Sequence, residues 1–183
     1  MVQSINAFVK RKQISKRIHT IFFGMDRDYE IETIQESDIK ELIEQNCAIF
    51  PHLGKYINDD LKSNDPDCTY FVLKHKGRPV GNIGLTKFGK DYEIIGMNAE
   101  DWVLGYFQIQ PLHRGKGFGT LLMNKVEELA RSKGIDKLWI DTTDRPQEAV
   151  AYKLYTKFGY AFNSSHSLPD FDYVIHILVK ELK

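Results

Sequence analysis

The chain is poor in cysteine, and the two it has are not arranged for chemistry. Cys47 and Cys68 are the only cysteines in 183 residues, and neither has a Cys or His at metal-ligand spacing. A disulfide-stapled scaffold and a structural zinc site are therefore excluded. His52 and His166 also lack ligand-spaced partners, so no metal is expected. No apolar run approaches the ~20 residues that a bilayer-crossing helix requires, and no secretory h-region is present. The expected setting is reducing and cytoplasmic, with both thiols buried and inert. Repeats and low-complexity tracts are missing, which argues against a solenoid or a disordered chain. Net charge is missing too, since 25 Lys and Arg balance 25 Asp and Glu. Nucleic acid is accordingly not an expected partner.

The charge that is present is unevenly placed. Residues 1–25 carry Lys10, Arg11, Lys12, Lys16 and Arg17 and no acid, so the remaining 158 residues hold 20 bases against 25 acids. Ile14, Ile18, Ile21 and Phe22 recur among them at helical spacing. A basic arm for a membrane or nucleic-acid surface and an organelle-import segment both fit that pattern. Five charges are few, however, and an extra helix packed on the domain or on a partner is the main expectation. Residues 1–27 are thus read as an extension and 28–183 as one domain. A chain of 183 residues that is 42% hydrophobic can fill one core but is short for two.

Alternating elements follow. Tyr29 to Gln35 reads as a strand, and Ser37 or Asp38 can cap a helix through about Ala48, which Pro51 interrupts. A short helix around Leu53 to Leu61 precedes the turn-rich Ser63-Asn64-Asp65-Pro66-Asp67. Tyr70 to Lys74 and Val80 to Lys87 form a hairpin about Lys76-Gly77-Arg78-Pro79, and Asp91 to Asp101 leads to the next strand. Asp172 to Val179 closes the chain as a strand. This order predicts an α/β domain, a mixed sheet with helices on both faces.

The most informative segment is Arg114-Gly115-Lys116-Gly117-Phe118-Gly119-Thr120. The run Trp102 to Ile109 before it is aromatic and β-branched, and Pro111 breaks it. After it Phe118, Leu121, Leu122, Val126, Leu129 and Ala130 mark one face of a helix that Gly134 stops. At such a helix start the first amides lack intrahelical acceptors and the macrodipole places roughly +0.5 charge, so an anion is favoured. Glycines remove the β-carbons that would keep phosphate oxygens from those amides. Three rival readings of the loop compete with a pyrophosphate site. A Walker loop does not fit, because Gly-Lys-Ser/Thr is missing. The dinucleotide fingerprint is nearer, with Asp141 ending the next strand where an acid can take a ribose hydroxyl, but its G-x-G-x-x-G spacing is one residue longer. A glycine turn that merely packs helix on sheet is the third.

Lys137 to Asp141 forms another strand, and from Glu148 a helix started by Pro146 puts Ala151, Leu154, Tyr155 and Phe158 on one face before Gly159-Tyr160. With R-x-x-G-x-G after a strand ending Ile-x-Pro, and L-Y-x-x-x-G-Y further on, the chain resembles the GNAT superfamily of N-acetyltransferases from Trp102 to Tyr160. The resemblance implies a single-domain, mostly antiparallel sheet of six or seven strands and transfer of acetyl from acetyl-CoA to a primary amine by direct attack in a ternary complex. It implies a small-molecule or peptide acceptor, is consistent with a homodimer, and needs no metal. It further implies that Arg114, Gly115, Lys116, Gly117, Phe118, Gly119 and Thr120 receive the pyrophosphate and that backbone of Phe107, Gln108 and Ile109 pairs with pantetheine. An acyl-CoA sensor without turnover, or an interaction module acting through the basic arm, are the alternatives of other classes.

An alkyl ammonium near pKa ~10 is unreactive at neutral pH, so such chemistry needs a base, and the departing thiolate needs a proton. Tyr155 matches the family's acid or sulfur-orienting tyrosine; a core tyrosine with a satisfied hydroxyl is the plain alternative. Asp101 can collect the amine proton through water or be a solvated loop acid, with Glu93 in reserve. By the two-residue period Asp101 shares a face with Val103 and not with Gln108. Glu148 stands where the family often has asparagine, so a contact needing an amide donor is lost or replaced. The acceptor segments that the resemblance implies are about Cys47 to Asp67, with Asp59, Asp60, Asp65, Asp67, His52 and Lys55, and Asn163 to Phe171, with His166 and Asp170. Local acidity there would attract a cationic amine.

Overall fold

The computed structural model describes residues 28–46, 53–63, 65–87, 97–169 and 171–183. The basic extension, Cys47, His52, Glu93 and Asp170 lie outside them.

In chain order the elements are β1 (Tyr29–Thr33), α1 (Glu36–Asn46), α2 (Leu53–Ser63), β2 (Cys68–His75), β3 (Arg78–Lys87), β4 (Trp102–Ile109), α3 (Phe118–Ser132), β5 (Lys137–Thr143), α4 (Ala149–Lys157), β6 (Ala161–Ser167) and β7 (Val174–Glu181). The seven strands form one sheet in the order β1-β2-β3-β4-β5-β7-β6. Every neighbouring pair is antiparallel except β4 and β5. Helices cover both faces, as the element order predicts. The alternation in β2 shows how: Phe71 and Leu73 enter the core under α3, whereas Tyr70 and Val72 enter the core with Ile39 and Leu42 of α1 and Ile57 of α2.

Local chemistry sets the boundaries. α1 starts at Glu36, one residue before the expected cap, because Asp38 acts from inside the first turn: its Oδ2 accepts the Gln35 amide at 2.9 Å. Its Oδ1 lies 3.0 Å from Lys74 Nζ, which also reaches Glu32 at 3.0 Å, so one partly buried ion cluster ties α1 to β1 and β2. α3 buries Phe118, Leu122, Met123, Val126 and Ala130 and ends where Gly134, at φ 72°, lets the Ile135 amide turn back to the Ala130 carbonyl. Glu127 is buried on the same stripe, and its carboxylate meets Lys180 of β7 at 2.6 Å and Arg131 at 3.1 Å. An acid at a core position is tolerated there because both oxygens are paired.

Two irregularities of β4 shape the site. β4 pairs with β5 only at Trp102↔Leu138 and Val103↔Trp139, so beyond Val103 the two strands diverge into a wedge that opens toward their C-terminal ends. On its other side, the register with β3 runs Asn82↔Gln108 and then Gly84↔Gly105, which sets Tyr106 and Phe107 together opposite Ile83. This is a β-bulge, and Tyr106 holds it at φ 53°. The bulge resets the alternation. Tyr106 turns to the α1/α2 face, while Phe107 and Ile109 pack into the α3 core. Strict two-residue counting from Asp101 to Gln108 therefore does not hold across it.

Candidate active site

The glycine segment forms the turn from β4 into α3, at the open end of the wedge. Gly115 and Gly117 adopt φ 73° and 84°, and Gly117 is the N-cap of α3 without any side-chain cap. A β-carbon at either would meet nothing within 4 Å, so the glycines serve backbone conformation and an open approach to the amides, not tight packing. Gly119 differs: a β-carbon there would stand 3.0 Å from Leu154 Cδ2 and 3.3 Å from Phe107 Cζ. It is the point at which α3 seats on β4 and α4. Arg114 turns back, its Nε donating to the Ile109 carbonyl at 2.7 Å, which closes the loop on the strand end. Lys116 is exposed. The root of the loop is clamped by Tyr29, whose hydroxyl bonds His113 Nδ1 at 2.9 Å and whose ring packs on Phe118 and His75. Burial, with His75 and Lys116 close by, holds the His113 imidazole below its ordinary pKa and hence neutral at pH 7.

Tyr155 lies on α4, buried, with its ring 6.1 Å from that of Phe107 and 6.4 Å from that of Tyr160. It therefore stands beside the strand that leads to the loop. Burial, then the charges of Asp141 and Glu148, push its hydroxyl pKa above the ordinary tyrosine value, so it stays protonated at neutral pH. Glu148 points inward: Oε2 accepts Thr142 Oγ1 at 2.9 Å and the Thr143 amide at 2.8 Å. That carboxylate fastens the start of α4 to the end of β5. Asp141 is not at a strand tip but within β5, opposite Ile177, and burial raises its carboxyl pKa, with Glu148 adding to the effect.

Between α2, the turn after it and β2 is a cavity of about 210 Å³ lined by Asp60, Leu61, Asp65, Cys68 and Tyr70. The Tyr70 hydroxyl donates a short hydrogen bond to Asp60 Oδ2, and its ring meets that of Tyr106 edge-on at 5.4 Å. Gly84 makes room for this, since a β-carbon there would stand 2.8 Å from the Tyr70 ring. Cys68 is half-buried, not fully buried as expected, but burial and the nearby Asp60 and Asp65 push its thiol up to about 12, which keeps it inert.

Asp101 and Tyr155 are not brought together. Asp101 precedes β4 and accepts the Asn98 amide at 2.8 Å, and Phe107, against which Tyr155 packs, is roughly 20 Å further along the strand at about 3.3 Å per residue. The residues that sequence reasoning missed are Asn82, Tyr70 and Tyr106. A bulge at a non-glycine residue carries no pattern that would reveal it, and Asn82 is unremarkable within a hairpin strand. Among the described residues no group of His, Cys, Asp or Glu is fit to hold a metal ion, and no helix is long and apolar enough to cross a membrane.

Comparison with known proteins agrees with this fold. The profile of the acetyltransferase (GNAT) family matches residues 31–160. Streptothricin acetyltransferase of Streptomyces lavendulae is 26% identical over 148 residues, covering 76% of this chain and 74% of that protein. An aminoglycoside 6′-N-acetyltransferase solved with coenzyme A superposes with a TM-score of 0.65 at 15% identity, covering 84% of this chain and 97% of the other. The protein yncA of Salmonella typhimurium, solved with its cofactor acetyl-CoA, gives a TM-score of 0.63 at 12% identity, covering 85% and 95%. At such identities the solved structures speak for the fold alone. The family match, in contrast, runs from β1 through the glycine loop and Tyr155 to Tyr160, and by it this chain is an acyltransferase belonging to the acetyltransferase (GNAT) family.

Proposed function

We propose that residues 28–183 form a catalytic domain that transfers the acetyl group of acetyl-CoA to a primary amine by direct attack, with residues 1–27 a separate basic extension. The observation that carries this reading is the convergence of three features along β4: the glycine loop at its end, the wedge beside it, and the Phe107–Tyr155 contact between them. In this reading the pyrophosphate rests on amides from Gly115 to Thr120, with Arg114 stabilising the loop and Lys116 adding charge from its rim. Pantetheine follows the backbone of Phe107, Gln108 and Ile109. Glu148 contributes indirectly, by fixing α4. The thioester then lies near the bulge, and the amine arrives from the acidic cavity on the α1/α2 face.

The chemistry follows from these positions. The amine nitrogen attacks the thioester carbon, a C–N bond forms, the C–S bond breaks, and the thiolate leaves toward Tyr155. An ordinary thiol has pKa ~8.5, so a tyrosine whose own pKa is raised keeps most of its proton while hydrogen-bonding the developing thiolate. Its duty is therefore to orient and stabilise sulfur. The amine must lose a proton before or during attack, and Asp60, beside the bulge, is better placed to receive it through water than Asp101, at the far end of β4.

The direct experiment is thiol release from acetyl-CoA across a panel of amines and alcohols, with product mass measured. Cationic primary amines are expected to turn over and alcohols are not. Asp60→Asn keeps the shape and removes the charge. It is expected to lower kcat/KM for a cationic amine by at least about tenfold, since it removes both the charge that attracts the amine and the group that receives its proton, and to leave the KM for acetyl-CoA unchanged. An unaltered amine kcat/KM would move the acceptor away from this cavity.

A further inference from the structure

We propose that Asn82 is a positioning residue that holds β4 in its bulged form and so sets where the thioester lies. This rests on the proposed path of the coenzyme along β4. Asn82 lies on β3 with 0% exposure, and both ends of its amide are used. Nδ2 donates to the Tyr106 carbonyl at 2.5 Å, and Oδ1 accepts from Gln108 Nε2 at 2.6 Å. The two partners flank Phe107, Tyr106 within the bulge and Gln108 just beyond it. One side chain thus clips together the residues that the bulge displaces.

The clip has something to hold. A non-glycine residue at φ 53° is disfavoured, so the conformation of Tyr106 persists only where its surroundings hold it. Were Tyr106 to relax to an ordinary extended conformation, the bulge would be lost. Side chains beyond it would exchange faces, and Phe107 and Ile109 would leave the α3/α4 core. The amides from Phe107 to Ile109 would then no longer line the wedge. The Gln108 side chain is committed to Asn82, so any contact of Gln108 with coenzyme is made by its backbone. Asparagine suits the position for a specific reason: it donates and accepts at once, whereas an aspartate offers only acceptors.

The test separates positioning from plain stability. Adenosine 3′,5′-diphosphate probes the nucleotide end without pantetheine, and acetyl-CoA probes both. Asn82→Ala is expected to lower kcat per folded molecule at least tenfold and to weaken acetyl-CoA binding, while affinity for adenosine 3′,5′-diphosphate stays within twofold. In a double-mutant cycle with Tyr106→Gly, a residue that holds positive φ unaided, Asn82→Ala is expected to have little further effect on kcat. Equal losses in both backgrounds, or fragment affinity falling in step with kcat, would overturn the proposal. If Asn82→Ala does not fold, Asn82→Leu keeps about the same volume and removes both hydrogen bonds without placing a charge in the core. Unchanged kcat in that variant would overturn it equally. A wild-type protein that neither binds acetyl-CoA nor releases thiol refutes the coenzyme path itself, and that result is distinguishable from an additive cycle in an active enzyme.

Discussion

Gly117→Val is expected to remove coenzyme binding while the domain still melts cooperatively. Gly117 is the N-cap of α3 at φ 84° and ψ −3°, and a β-carbon there meets no neighbour, so the effect comes wholly from the backbone. A left-handed conformation costs an ordinary residue roughly 1–2 kcal/mol, and a β-branched one more. The cheaper course is for the exposed loop to rearrange, which turns the first amides of α3 away from a common point. An anion held by several amides at once then loses them together, and a fall in acetyl-CoA affinity of about 100-fold or more is expected by calorimetry. Lys116→Ala removes only an exposed point charge and should weaken binding by no more than about threefold. Gly119→Val is a different experiment. Its side chain would press on Leu154 and Phe107, so melting temperature falls along with affinity. Unchanged affinity in Gly117→Val would end the assignment of the loop to the pyrophosphate.

For Tyr155→Phe the expected result is a loss of turnover without a loss of coenzyme. The ring that packs against Phe107 and Tyr160 is retained, and only the hydroxyl goes. If that hydroxyl stabilises the departing thiolate, kcat falls about 10²-fold or more, the scale of one preorganised donor to developing charge. Acetyl-CoA affinity and Tm barely move. A hydroxyl with a purely structural role gives the opposite pattern, about 1 kcal/mol of stability lost and an intact rate per folded molecule. Because burial holds the group protonated, no alkaline limb belonging to Tyr155 should appear in the neutral part of the pH–rate profile. A less stable variant that turns over at the wild-type rate would refute the assignment, leaving water or the acceptor to stabilise the departing sulfur.

Much of this was legible because local rules and global packing agree. The apolar stripe from Phe118 to Ala130 and the stop at Gly134 define α3 in sequence and in structure alike. Gly115 and Gly117 lie where a strand-to-helix turn needs positive φ. What escaped notice depends on partners distant in the chain. β6, with its run Ala-Phe-Asn-Ser-Ser-His-Ser, carries too little apolar alternation to announce a strand, and it exists because β7 supplies the ladder. The closing strand lies two residues later than its apolar run suggests, from Val174 to Glu181, where β5 fixes the register. Asp38, expected as a cap, works instead from the first turn of α1. The bulge at Tyr106 is held by a side chain 24 residues earlier in the chain, and no window of sequence reading spans that distance.

The brief contact between β4 and β5 also bears on how the protein folds. Strands β1 to β4 lie in the sheet in sequence order, and β5, β7 and β6 make a second antiparallel group, so most strand pairing is complete within one half or the other. The halves share two residue pairs of sheet, and they are joined further by the Phe107–Tyr155 contact and above all by α3, whose buried stripe rests on β2 and β3 in one half and shares a core with β5 and β7 in the other. Joining them is the costly long-range step, because the parallel crossover closes only when the helix is docked. Truncations at Leu122 or Val126 should therefore slow folding markedly, with high φ-values, whereas changes in β6, at the far edge, should act almost entirely on the unfolding rate.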